Sequence, residues 1–271
     1  METDLRITRP LRAVIIGAGN VASQIAPALQ CAGCISAEAV WSRTAGHARE
    51  LAATLGDGVR AETGLGRLPS DADFYLLSVA DDVVARVVKE MTPGHALWAH
   101  TAGSVDASVL APLTDRYGVF YPLQTFSRGG AVEISEVPMF IEGSDRATAD
   151  SLLDMARAIS ERVYEADSEL RSKMHAAAVF ACNFANHLWA MADDLLRERA
   201  GLDITVLGPL MRETLRKALL VPPAEAQTGP ARRRDRSVME KHMSQLTPHQ
   251  GEIYRLMSES IMQYYQTTSE K

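Results

Sequence analysis

The chain has 271 residues, 46% of them hydrophobic and 23% charged, with 28 lysines and arginines against 34 aspartates and glutamates for a net charge of −6. That composition excludes a disordered chain, a collagen-like repeat and a disulfide scaffold, and the length suffices to bury a core in one large domain or two modest ones. The acidic balance argues against nucleic-acid binding, which needs a surplus of lysine and arginine on one face.

Residues 1–10 are polar and charged, unlike a signal peptide. No apolar stretch approaches the roughly 20 residues that span a bilayer, so no membrane association and a cytoplasmic location are expected. Strands are predicted over 11–16, 37–41, 73–79 and 96–100, alternating with helices over 21–32, 45–55 and 82–91. This alternation produces a parallel sheet covered on both faces. Further strands are predicted at 119–123 and 139–142, flanking the loop Ser127-Arg128-Gly129-Gly130. From about Ser168 the pattern becomes all-helical, with stretches at 170–200, 204–220, 236–246 and 251–266 broken at Gly201, Pro222-Pro223, Thr228-Gly229-Pro230 and Pro248. The predicted organisation is an α/β doubly wound sheet of the Rossmann type over 1–166, followed by an all-α domain over 167–271.

The three cysteines fit a reducing compartment. Cys31 and Cys34 form a C-x-x-C where the first helix should stop at Gly33, and no second pair completes a zinc site, so no metal is expected. The only dense basic run, Arg232-Arg233-Arg234-Asp235-Arg236, reads as a solvated helix start with Asp235 as N-cap.

The first strand runs into Gly17-Ala18-Gly19-Asn20-Val21-Ala22, a G-x-G-x-x-A between strand and helix, which is the setting of a dinucleotide fingerprint. Gly17 permits the tight turn, Gly19 the close approach of backbone to a pyrophosphate, and Ala22 close packing of helix on strand. The helix N-terminus then offers N–H groups and a positive dipole end to the phosphates. The second strand ends Trp41-Ser42-Arg43-Thr44, without the carboxylate that would accept from a ribose 2′-hydroxyl. A guanidinium flanked by two hydroxyls suits a 2′-phosphate, so NADP is expected, with NAD as the alternative. The competing reading leaves Arg43 merely exposed and gives Ser42 or Thr44 to the next helix as a cap. Ser78-Val79-Ala80-Asp81 and His100-Thr101-Ala102-Gly103-Ser104 follow later strands, so Ser78, Val79, Ala80 and Thr101 should border the nicotinamide end, with Asp81 as a helix N-cap.

These motifs resemble the group of reductases that includes pyrroline-5-carboxylate reductase and the 6-phosphogluconate and β-hydroxyacid dehydrogenases. Gly17–Ala22, His100–Ser104, Tyr121-Pro-Leu-Gln-Thr-Phe-Ser127 and Thr228-Gly-Pro-Ala-Arg-Arg-Arg-Asp235 are most similar to a bacterial branch of Rossmann-like oxidoreductases whose C-terminal domain has no assigned function. The resemblance spans nearly the whole chain and implies an α domain of the 6-phosphogluconate dehydrogenase C-terminal type, commonly used to dimerise; it implies fold and cofactor better than substrate. β-Hydroxyacid dehydrogenases carry a lysine and, four residues on, an asparagine; here Lys173 is followed by Ala177, so that pair is missing. Some members of the wider group use a deazaflavin, which lacks the 2′-phosphate that Arg43 would hold.

At 100° per residue, His175, Asn183 and Asn186 share one face of an apolar helix. Polar groups on such a stripe need partners, which a substrate or the cofactor's amide would supply; the competing partners are neighbouring helices or a second subunit. Reduction of a C=O or C=N bond requires a proton at the heteroatom, and histidine is the side chain best matched to that task. His175 is the first candidate and His100 the second, although His100 also reads as a strand-end packing residue. Tyr121 would serve only if a neighbouring cation lowered its pKa. Arg234 is a candidate for gripping a substrate carboxylate. The leading expectation is an NADP-dependent oxidoreductase acting on a small carbonyl or imine, as a homodimer through its α domain. The alternative is a non-catalytic NADP-binding sensor.

Overall fold

The computed structural model describes residues 9–127, 129–130 and 132–268; most of the polar opening segment and Arg128 of the expected loop lie outside them. Eight strands form one sheet: β1 (Leu11–Ile16), β2 (Ile35–Trp41), β3 (Arg60–Glu62), β4 (Phe74–Leu77), β5 (Leu97–His100), β6 (Tyr117–Pro122), β7 (Met139–Gly143) and β8 (Val163–Glu165), in the order β3-β2-β1-β4-β5-β6-β7-β8. All pairings are parallel except β6 with β7. Sequence periodicity misses β3 and β8, three-residue strands too short to show it.

The central strands are buried on both faces, as a sheet sandwiched between helices requires. Ala13 and Ile15 of β1 point into one core, against α1 (Ala22–Cys31) and α2 (Ala45–Leu55). Val14 and Ile16 point into the other, against α3 (Asp81–Glu90). A further helix, α4 (Arg146–Arg157), absent from the sequence reading, covers the β6–β7 end of the first face and is capped by Asp145, which accepts from the Thr148 N–H. Because β1 has β2 on one side and β4 on the other, the strand order reverses there and a crevice opens beyond the carboxyl ends of β1 and β4.

Contacts divide the chain into two compact units, one ending at Phe180 and the other beginning at Ala181. The change from β/α to helical texture falls earlier, at α5 (Ser168–Ala178), because α5 is tied to the sheet through Arg171. The helix expected over 170–200 is not continuous. A π-helical turn over Val179–Phe184 separates α5 from α6 (Ala185–Ala200), which stops at Gly201 in the left-handed conformation. The second unit continues with α7 (Gly208–Leu220), the short α8 (Pro223–Ala226) and α9 (Pro230–Arg233), α10 (Arg236–Met243) and α11 (Pro248–Thr268). Pro248 starts α11 rather than breaking a helix, since the first turn tolerates a missing N–H. Asp235 caps α10 as expected, accepting from the Val238 N–H, and the Arg232 guanidinium lies over the Tyr265 ring at 4.2 Å. Among the described residues, no helix is long and apolar enough to cross a membrane.

Candidate functional site

The turn after β1 is set by Gly17, whose φ of +116° is open to glycine and whose absent Cβ would stand 1.9 Å from the Ser78 carbonyl oxygen. Any side chain there would force the ends of β1 and β4 apart. Gly19, by contrast, faces open space within 4 Å, leaving backbone accessible as a phosphate would require. Helix α1 has neither a capping side chain nor an acidic residue in its first turn, so its dipole end stays uncompensated on the side of the glycines.

A cleft of about 520 Å³ opens here. It is lined by all twelve residues expected to face a cofactor: Gly17, Ala18, Gly19, Asn20, Val21, Ser42, Arg43, Thr44, Ser78, Val79, Ala80 and Thr101. Ser42 and Thr44 do not cap α2. Thr44 occupies the N-cap position without a side-chain bond, and the Ser42 Oγ accepts from the Thr44 N–H at 3.3 Å, holding the turn that presents the exposed Arg43. Thr101 donates to Ser78 Oγ at 3.1 Å, joining the ends of β5 and β4. The Asn20 side chain donates to the Phe126 carbonyl, so it ties the 124–127 loop to the glycine turn while its backbone faces the cleft.

At the other end of the cleft stand Gly103, Tyr121, Gln124 and His175. The Tyr121 hydroxyl lies 2.8 Å from His175 Nδ1, and Gly103 passes so close beneath that an added Cβ would stand 2.5 Å from the same nitrogen. Burial, reinforced by the charge of Asp81, pushes the Tyr121 phenol up to about 12 against an opposing effect of Arg171, so Tyr121 is not the acid that a lowered pKa would have made it. Asp81 does not cap α3 either: its carboxylate accepts from the N–H and hydroxyl of Ser104, clasping the 101–104 turn.

Of the other expected catalytic residues, one is buried and two belong to the second unit. His100 is fully buried and does not line the cleft; its Nδ1 accepts from the Ala102 N–H at 3.2 Å. Burial, and then the charge of Arg171, push it down to about 4, so it stays neutral and shapes the turn beneath His175 rather than delivering a proton. Asn183 and Asn186 belong to the second unit, where both are exposed, not held on a buried stripe. The π turn between His175 and Asn186 also breaks the 100° progression on which their shared face was reckoned. Lys173 pairs on the surface with Glu169 at 2.6 Å. Gly103 and Trp41 are cleft residues the sequence reading passed over; the approach of His175, 72 residues later in the chain, carried no local signal for Gly103.

The family model described as "NADP oxidoreductase coenzyme F420-dependent" matches residues 12–101, and a domain of unknown function matches 137–261. The structure of a candidate NADP oxidoreductase from Bacteroides fragilis is 40% identical, with a TM-score of 0.85 over 94% of this chain and 98% of that one. The chain is a member of this NADP oxidoreductase family. Its cofactor is NADP. In the oxidoreductase the open glycine backbone and the Ser42-Arg43-Thr44 turn line one cleft. A reductive aminase from Aspergillus terreus, solved with NADPH and ethyl levulinate, aligns over 95% of the oxidoreductase and 94% of its own chain at 15% identity and a TM-score of 0.69. A pyrroline-5-carboxylate reductase from Coxiella burnetii does so over 96% and 98%, at 15% identity and 0.53. At that identity the likeness shows the fold. No curated protein matches the chain.

Proposed function

We propose that this oxidoreductase reduces a small carbonyl or imine with NADPH, and that His175 supplies the proton. The observation that carries the reading is the Tyr121–His175 pair on the same cleft as the glycine turn. When bound, NADPH supplies a hydride to the substrate carbon. The glycine turn and α1 hold the diphosphate, and Arg43 with Ser42 and Thr44 holds the 2′-phosphate. The Tyr121 phenol stays protonated and its oxygen accepts from the Nδ1–H of protonated His175; the Nε2–H passes to the heteroatom, leaving a neutral imidazole whose remaining proton sits on Nδ1. Thr101 and Ser78, bonded to one another at the strand ends, border the reacting end.

Imines lead the choice of substrates because two of the proteins sharing the fold are a reductive aminase and a pyrroline-5-carboxylate reductase. The test is NADPH oxidation across a panel of keto acids and cyclic imines, with His175→Ala alongside. Turnover that the variant abolishes supports the reading; turnover unchanged in the variant discards His175 as the donor. NADPH binding with no turnover across the panel favours the sensor, a reading kept open by the missing lysine–asparagine pair.

The second unit exposes Leu210, Leu215, Leu219 and Leu220 on α7, with Leu219 78% accessible. Four leucines exposed around one helix are costly to leave in water, and a second copy of the chain is the occupant we assign to them. Light scattering on the full chain and on Leu219→Glu tests this: a dimer that the variant converts to monomer is expected, and a monomeric parent overturns it.

A further inference from the structure

Arg171 is among the largest fully buried side chains of the described residues, at 1% accessibility; a buried guanidinium needs its charge paired, and here both terminal nitrogens find partners while Nε has none. Its Nη1 pairs with the carboxylate of Glu142 on β7, and its Nη2 donates to the Val105 carbonyl and, at 3.1 Å, to Ser168 Oγ. Ser168 in turn donates to Glu142 at 2.9 Å and accepts from the Ala107 N–H at 3.2 Å. One side chain thereby joins three pieces of backbone: β7, the first turn of α5, and the segment leaving β5.

Two of those pieces carry the reactive end of the cleft. His175 stands one helical turn beyond Arg171 on the same side of α5. Gly103 stands two residues before Val105 and lies beneath the His175 ring, where an added Cβ would reach Nδ1 at 2.5 Å. Displacing α5 from the 103–105 segment by a few tenths of an ångström would therefore lengthen the bond between His175 and Tyr121, whose strand β6 is paired with β7.

We infer that Arg171 is a positioning residue, which holds α5 against the 103–105 segment so that His175 Nδ1 meets the Tyr121 hydroxyl. The inference rests on the reading of His175 as proton donor, yet its test does not depend on turnover. The readout is the imidazole ¹⁵N spectrum of the full chain, with the His175 signals assigned by their loss in His175→Gln and the unbonded Nδ1 position defined by Tyr121→Phe. Arg171→Met combined with Glu142→Gln removes the brace without leaving a buried charge; Arg171→Lys keeps the charge but has a single head for three acceptors. In the double variant the Nδ1 signal should move to the Tyr121→Phe position, and in Arg171→Lys part of the way, while NADPH affinity stays within twofold of the parent.

Should the double variant not fold, Arg171→Lys alone decides. An Nδ1 signal unmoved in a folded variant overturns the inference, and so does a tenfold or greater loss of NADPH affinity, which would mean that Arg171 supports the cleft as a whole. If His175→Ala leaves turnover intact, the proton-donor reading fails separately, while the Nδ1 signal still reports whether Arg171 sets the ring.

Discussion

The Tyr121 hydroxyl and His175 Nδ1 lie 2.8 Å apart, with the two rings edge to face at 69°. This bond joins the end of β6 to α5 and fixes which imidazole nitrogen is left to face a substrate. Tyr121→Phe keeps the ring packing and deletes the bond, freeing the imidazole to rotate and to change tautomer. Turnover of any substrate found in the panel should fall about tenfold or more, ~1.4 kcal/mol of transition-state stabilisation, with NADPH affinity unchanged. Steady-state kinetics beside a nucleotide fluorescence titration check both halves.

Gly103 tests the same geometry from below. A methyl group there would stand 2.5 Å from His175 Nδ1, 2.8 Å from its Cγ and 3.1 Å from the Tyr121 ring, so in Gly103→Ala the imidazole must shift. Misplacement of a reacting group by about 1 Å costs on the order of 100-fold in rate. The expected result is a loss of that size in kcat, with a folded protein and NADPH affinity within a few-fold. Unchanged kcat would show that His175 can move without chemical consequence, against its role as donor.

Arg43 is the residue on which selectivity for the phosphorylated cofactor is argued. It is exposed at the cleft, on a turn held by Ser42 and with no carboxylate at the end of β2. NADPH should bind at least about tenfold more tightly than NADH, ~1.4 kcal/mol, and Arg43→Ala should erase the difference while sparing NADH binding. Parallel fluorescence titrations measure it. Equal affinities in the parent protein would move recognition of the 2′-phosphate to another group.

The glycine turn was legible because its constraint is local: strand, G-x-G-x-x-A and helix follow one another within 22 residues, and the Ser42-Arg43-Thr44 turn ends the next strand. The reactive end was legible only in part. His175 stood out as a polar residue in an apolar helix, but its partner on β6 and the glycine beneath it are set by tertiary packing, which leaves no periodicity to read. The asparagines misled because a single helical period was carried through Val179–Phe184, where the chain makes a π turn. His100 misled for a different reason. Its place at the carboxyl end of a central strand is right for a site, yet burial first, and then the charge of Arg171, keep the imidazole there neutral, so that it only accepts a backbone bond.

That burial has a measurable consequence for stability. His100 is pushed from its ordinary value of 6.5 to about 4, by desolvation first and by Arg171 second. In the unfolded chain it gains a proton below about pH 6.5, whereas in the folded chain it stays neutral to about pH 4, so the unfolded state binds the extra proton between those values. Stability from this group is complete above about pH 6.5 and is lost as pH falls, by on the order of 3 kcal/mol by about pH 4. His100→Asn keeps an acceptor for the Ala102 N–H and removes the titration. Urea unfolding at about pH 7 and about pH 4.5 should show the parent losing on the order of 2 kcal/mol more than the variant. Parallel losses in the two proteins would mean that the His100 imidazole is hydrated and titrates in the folded state.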